Sequence, residues 1–192
     1  FARDTALAAR ANLVIIGGDL EHPSAPEAAE LARIQRMYER HPGLEDRVVL
    51  LGQRAHHEVA LVLAAARSGL VSLVGAGGAY ACASTKEEFG LAIIEALAAG
   101  LPVTAPIAGG PATYVEPGRT GSLVETTDAV ALADGVSATL DLARDRDTAV
   151  RTRALVEDRY TLERMARSLT AVYRVSVGAS TLAVAPATEL SA

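Results

Sequence analysis

The chain has 192 residues, half of them hydrophobic, 21% charged and 4% aromatic, with a net charge of −5. That length fits one domain, or a domain and a half, with enough apolar surface for a core, and it excludes a disordered chain. The single cysteine, Cys82, excludes a disulfide scaffold and a thiolate zinc site, and the acidic balance offers no positive field to nucleic acid or an anionic membrane.

The opening residues Phe1-Ala2-Arg3-Asp4 show no basic region followed by an apolar one, so no leader is expected and the chain reads as cytoplasmic. It opens without methionine in a helix-like pattern and therefore reads as a fragment. Residues 5–9 close a helix, and residues 12–16 (Asn-Leu-Val-Ile-Ile) form a buried strand ending at Gly17-Gly18. After a polar loop over 19–26, residues 27–40 place Leu31, Ile34 and Tyr38 on one helical face, until His41-Pro42-Gly43 stops it. Residues 47–51 (Arg-Val-Val-Leu-Leu) repeat the strand pattern up to Gly52, and residues 57–67 form an apolar helix.

Residues 70–78 fit either a helical extension or a strand. A third strand follows over 80–84, a helix over 90–99 closed by Gly100, and a fourth strand over 102–105. Pro117-Gly118-Arg119-Thr120-Gly121 is a turn leading to a fifth strand over 122–124. Three helices end the pattern, over 128–143, 148–159 and 162–174, with Thr161 as N-cap of the last. From Val175 to Ala192 the periodicity is lost, which predicts a flexible tail after one domain over 1–174. The longest weakly polar stretch, residues 70–83, is shorter than the roughly 20 residues of a spanning helix. Short apolar strands alternating with helices predict an α/β fold: a Rossmann-like parallel sheet with helices on both faces, then the C-terminal helices.

The chemistry concentrates in Ser84 to Ala96, Ser-Thr-Lys-Glu-Glu-Phe-Gly-Leu-Ala-Ile-Ile-Glu-Ala. A strand ending near Ser84 and a helix starting near Gly90 place the amides of Phe89, Gly90 and Leu91 at the sheet's carboxyl edge. With the helix dipole behind them they make an anion site, and Gly90 removes a side chain from the approach. Glu87 precedes the helix and Glu95 lies about one and a half turns into it, so one carboxylate stands on each side. Carboxylates accept bidentately from sugar hydroxyls, so the arrangement describes a nucleotide-sugar pocket.

Glu87 to Glu95 matches the E-x7-E motif of the retaining, two-domain (GT-B) glycosyltransferases of family 4, the glycosyl transferases group 1, to which the sucrose synthases belong. The chain also resembles that family in Gly100-Leu101-Pro102-Val103, Gly109-Gly110-Pro111 and Gly118-Arg119-Thr120-Gly121, in the same order. The resemblance covers roughly residues 12–173 and implies the C-terminal half of a GT-B fold. It implies that Glu87 is the catalytic-site acid on the transferred sugar, that Glu95 holds the ribose, and that Phe89, Gly90 and Leu91 hold the diphosphate. Gly52, Gln53 and Arg54 would lie near the base, and Gly110 near the ligand. The implied partners are a nucleoside-diphosphate sugar and an acceptor-binding N-terminal domain outside this chain, with no cofactor and no metal. The chain departs from the family in having Glu88 where proline is frequent, and in showing no Arg-x4-Lys element before Asn12.

Other features read as structural. Gly75-Ala76-Gly77-Gly78 resembles a dinucleotide loop but has Tyr80 at the third glycine position. His56 and His57 are adjacent, diverge on a helix and form no metal face, and His22 and His41 fall in loops. Cys82 is expected buried and inert, and Lys86 suits a surface ion pair or a phosphate. Gly109-Gly110 is either a strand-exit turn lining the pocket or a direct ligand contact. Two alternatives to the transferase stand: a module that binds nucleotide or nucleotide sugar without turnover, and a nucleotide-sugar epimerase. No His or Asp sits within the E-x7-E segment to supply an epimerase's acid and base.

Overall fold

The computed structural model describes residues 1–70 and 74–176. The order of elements is α1 (Thr5–Arg10), β1 (Leu13–Ile16), α2 (Ala25–Arg40), β2 (Val48–Gly52), α3 (His56–Ser68) and β3 (Tyr80–Ala81). There follow α4 (Leu91–Ala99), β4 (Val103–Pro106), a single 3-10 turn (Gly110–Thr113), β5 (Gly121–Val124), α5 (Ala129–Leu142), α6 (Thr148–Arg159) and α7 (Leu162–Ser176). The α/β class and the parallel strand pairing follow the expectation, with the strands in two ladders. β1 pairs with β2, and β3, β4 and β5 pair in that order, every pair parallel.

The core lies in the second ladder. α4 buries Ile93, Ile94, Ala96 and Leu97. They meet Val103 and Ala105 of β4, Leu155 and Val156 of α6, and Leu63 of α3. Burying each large aliphatic side chain contributes about 1.5–3 kcal/mol, so α4 is anchored by its apolar face and only its start is free to serve a site. Its other end is closed by Arg153, whose guanidinium donates to the carbonyls of Ala98 (3.3 Å) and Ala99 (3.1 Å).

The first ladder is covered more thinly. Val14 and Ile15 of β1 are 41% and 38% exposed, and no residue of α2 is fully buried. An apolar cavity of about 270 Å³ remains between α2 and the β1–β2 ladder, lined by Leu20, Leu31, Ile34 and Leu50 among others.

Several boundaries differ from those expected. α2 starts at Ala25, before the expected residue 27. Pro26, read as a loop residue, sits in the first turn, where its missing N–H costs nothing. Glu27 instead accepts from the Ser24 amide (2.8 Å) and hydroxyl (2.6 Å), which holds its carboxyl below the usual range. β3 is only two residues long, although the Cys82 amide still donates to Thr104 O. Leu70 and Val74 bridge antiparallel, and residues 71–73 between them lie outside the described part. Thr161 accepts from the Arg164 amide (3.3 Å), as its N-cap role requires. α7 runs on through Ser176, and the remainder of the expected tail, 177–192, lies outside the described residues. Among the described residues no helix is long and apolar enough to cross a membrane.

Candidate functional site: the start of α4

Three strand ends meet at one edge. β3 gives way to Ser84, β4 to Ile107–Gly109, and β5 to Glu125–Thr127. Two bonds tie them together: Ile107 N donates to Val124 O (2.9 Å) and Thr126 Oγ1 donates to Ser84 O (2.7 Å). The segment 84–90 crosses this edge before α4 begins at Leu91, one residue later than expected.

Gly90 is the N-cap of α4, with φ +83° in the left-handed region. A Cβ there would stand 2.8 Å from Tyr114 Oη and 3.0 Å from Glu87 Cγ, so space as well as conformation requires glycine. Lacking a side chain, Gly90 cannot cap the helix. The amides of Phe89, Gly90, Leu91, Ala92 and Ile93 have no partner among the described residues, and Ile94 N is the first to be used, donating to Gly90 O (3.0 Å). Free donors at a positive dipole end are the physical requirement of an anion cradle. Phe89 and Leu91, 46% and 69% exposed, leave the cradle open to solvent.

The loop that carries Glu87 is fixed from beneath. Glu87 N donates to Ala108 O (3.3 Å) and Gly110 N donates to Glu87 O (2.8 Å). A Cβ on Gly109 would overlap the Glu87 carbonyl oxygen, and one on Gly110 that of Glu88. Gly109-Gly110 thus lets two backbones touch, and the Gly110 amide, being committed to Glu87, is not available to an anion. Tyr114 supplies a second support, donating from Oη to Phe89 O (2.6 Å). Phe89, Tyr114 and Tyr160 pack as an aromatic trio with centroids 5.6–6.3 Å apart.

Both acids lie close enough for their charges to act on buried phenols. Burial first, and then the charges of Cys82, Glu87 and Glu95, push the Tyr80 phenol up to about 12. Burial followed by Glu87 raises Tyr114 further. Glu87 is half-buried, and its carboxylate has no partner among the described residues. Glu95 accepts one hydrogen bond, from Nε2 of His56, at 3.1 Å. Glu88 is paired with Lys86 at 2.6 Å, both side chains being exposed. Arg54 lies exposed in the turn between β2 and α3, with no hydrogen bond or ion pair among the described residues. No group of three His, Cys, Asp or Glu side chains suited to a metal occurs among them.

The sequence signature of the family described as Glycosyl transferases group 1 matches residues 2–141. The chain belongs to that family.

The relatives of this group 1 glycosyltransferase chain include the sucrose synthase of Acidithiobacillus caldus, 34% identical over 91% of the chain and 22% of the relative. Among solved structures, the sucrose-phosphate synthase of Thermosynechococcus elongatus is 32% identical, with a TM-score of 0.69 over 92% of this chain and 42% of that one. HepE of Anabaena in complex with UDP is 26% identical, with a TM-score of 0.66 over 86% of this chain and 43% of that one. The chain therefore spans about a fifth of its curated relatives' length and less than half of its structural neighbours'. Its fold is that of the C-terminal domain of a GT-B glycosyltransferase, as the motif resemblance implied.

Sequence reasoning located Glu87, Phe89, Gly90, Leu91 and Glu95 in this one place. It missed His56, Tyr114 and the reason for Gly109. The His56 contact joins residues 39 apart in sequence, and nothing local announces it. Tyr114 could have been flagged as an aromatic hydroxyl three residues past Gly109-Gly110-Pro111 in a chain with only five tyrosines.

Proposed function

We propose that this chain is the donor-binding domain of a retaining glycosyltransferase, which takes a hexosyl group from a nucleoside-diphosphate sugar and passes it to an acceptor held by another domain. The supporting observation is the uncapped start of α4, with five unpartnered amides, Glu87 in the segment just before it and Glu95 within its first turns. In this reading the amides of Phe89, Gly90 and Leu91 take the diphosphate. As the glycosidic bond breaks, negative charge grows on the leaving diphosphate. Donors fixed in advance stabilise that charge more than they stabilise the bound sugar nucleotide. Glu87 accepts from hydroxyls of the transferred sugar, and Glu95 from the ribose. Arg54 and the neighbouring turn border the nucleobase, and Gly110 acts by holding Glu87 in place. The protein is assigned to the cytoplasm. HepE's complex with UDP adds weight to a uridine nucleotide as the donor's leaving group.

A non-catalytic nucleotide-binding module is the second reading. It is favoured by one observation: Lys86, the lysine beside the cradle in sequence, pairs with Glu88 at 2.6 Å.

Calorimetric titration with UDP, GDP, ADP and TDP tests the site. At least one should bind more tightly than millimolar. Glu95→Ala should weaken that binding about tenfold or more, while Glu88→Ala leaves it unchanged. Equal losses from both variants overturn the assignment. Turnover of a UDP-sugar by the chain joined to an acceptor domain separates transferase from module.

A further inference from the structure

His56 meets Glu95 from a different element, the start of α3. β2 ends at Gly52, and α3 begins at His56. That start is fixed by Glu58, whose carboxylate accepts from the Ala55 amide (2.9 Å). As the first residue of α3, His56 projects its ring beyond the helix end, because side chains lean toward the N-terminus. α3 and α4 share the core through Leu63 and Leu97, so the two helix starts are held at a set separation. Across it, His56 Nε2 stands 3.1 Å from Glu95 Oε1.

Stability does not explain this bond. The His56 side chain is 82% exposed and that of Glu95 43%, and an exposed pair of this kind contributes little to folding. Its geometry has a clearer consequence. A carboxylate only accepts, so Nε2 carries the proton and one oxygen of Glu95 is occupied. The carboxylate plane is then oriented, and Oε2 has no partner among the described residues. Ring and carboxylate together span from the β2–α3 turn to α4.

We propose that His56 is a positioning residue that presents Glu95 to the ribose, so that this chain selects nucleotides bearing the 2′ and 3′ hydroxyls. The inference rests on the donor-site reading above and extends it to a residue that touches the ligand only through Glu95. Without His56 the Glu95 side chain samples several rotamers, and part of each hydroxyl bond is lost to ordering it. A nucleotide with no ribose hydroxyls gains nothing from an oriented carboxylate and is indifferent to His56.

The test is titration of the full chain with two probes, UDP and 2′,3′-dideoxy-UDP, against wild type, His56→Ala and His56→Gln. The wild type should prefer UDP by roughly tenfold or more. His56→Ala should lose about fivefold for UDP and nothing for the dideoxy probe, and so collapse the preference. His56→Gln, whose amide N–H can still donate to Glu95, should restore it. Equal losses for both probes in His56→Ala, or no loss for either, overturn the inference while leaving the donor site standing. Failure of the wild type to bind UDP or any other nucleoside diphosphate removes the donor site and this inference together. Unchanged thermal midpoints in both variants confirm that the readout is recognition rather than folding.

Discussion

Gly109 lies directly against Glu87, so close that a methyl group on one would occupy the carbonyl oxygen of the other. Glu87 is therefore positioned by a backbone on backbone contact that no side chain can enter. Gly109 also sits at φ +100°, where an L residue is strained. Gly109→Ala should cost about 2–4 kcal/mol of stability and shift the Glu87 loop. Urea unfolding and UDP titration should both report the loss. A variant of native stability that binds UDP normally would show that the contact is dispensable.

Tyr114 is the second support of the same loop. Tyr114→Phe keeps the aromatic trio but removes the 2.6 Å bond to Phe89 O, leaving a carbonyl short of a partner. A loss of about 1–2 kcal/mol is expected in denaturant unfolding, with several-fold weaker nucleotide binding. Binding that stays intact while stability falls would place Tyr114 in folding alone.

Alkaline pH should act on the same side chains. Burial favours the neutral phenol in Tyr80, pushed up to about 12, and in Tyr114, raised further. The unfolded chain releases these protons near pH 10, whereas the folded protein retains them. Stability is thus full below pH 10 and declines from there as pH rises through the folded values. Thermal midpoints measured from pH 8 to about 11.5 should fall above pH 10, and fall less steeply in Tyr114→Phe. An identical slope in that variant would contradict the assignment of the alkaline limb to Tyr114.

Beneath the site, Thr104 of β4 and Thr139 of α5, both with no exposed surface, share a hydrogen bond of 2.9 Å. Thr139 Oγ1 also lies within hydrogen-bond distance of Gly135 O (2.8 Å) and Ser122 Oγ (3.1 Å), with one proton to donate among them. Thr139→Val leaves Thr104 unpaired in the core and should cost about 1–3 kcal/mol, and Thr104→Val in the same chain should recover part of it. Strictly additive losses in the double variant would show that the two hydroxyls do not depend on each other.

Much of this was legible from residue pattern. The helices over 90–99, 148–159 and 162–174 were placed nearly to the residue, because each combines apolar spacing with a stop or cap such as Gly100 or Thr161. The open start of α4 followed from glycine at the junction of strand and helix, and the two acids near it were read from their spacing. What stayed hidden was nonlocal. The partners of Glu95 and Phe89 come from α3 and from the segment after β4, and no periodicity encodes them. The start of α2 was misplaced because Pro26 signals a loop and a first turn equally well. The division of the strands into two ladders was also invisible, since Leu13–Ile16 has the composition of a strand enclosed on every side.

That last discrepancy bears on handling the protein. Among the described residues β1 bonds only to β2, and with Val14 and Ile15 partly exposed its other edge offers backbone groups on which a further strand can pair. Concentrated samples should therefore scatter light below the thermal midpoint, and Ile15→Lys, which places a charge on that edge, should reduce it.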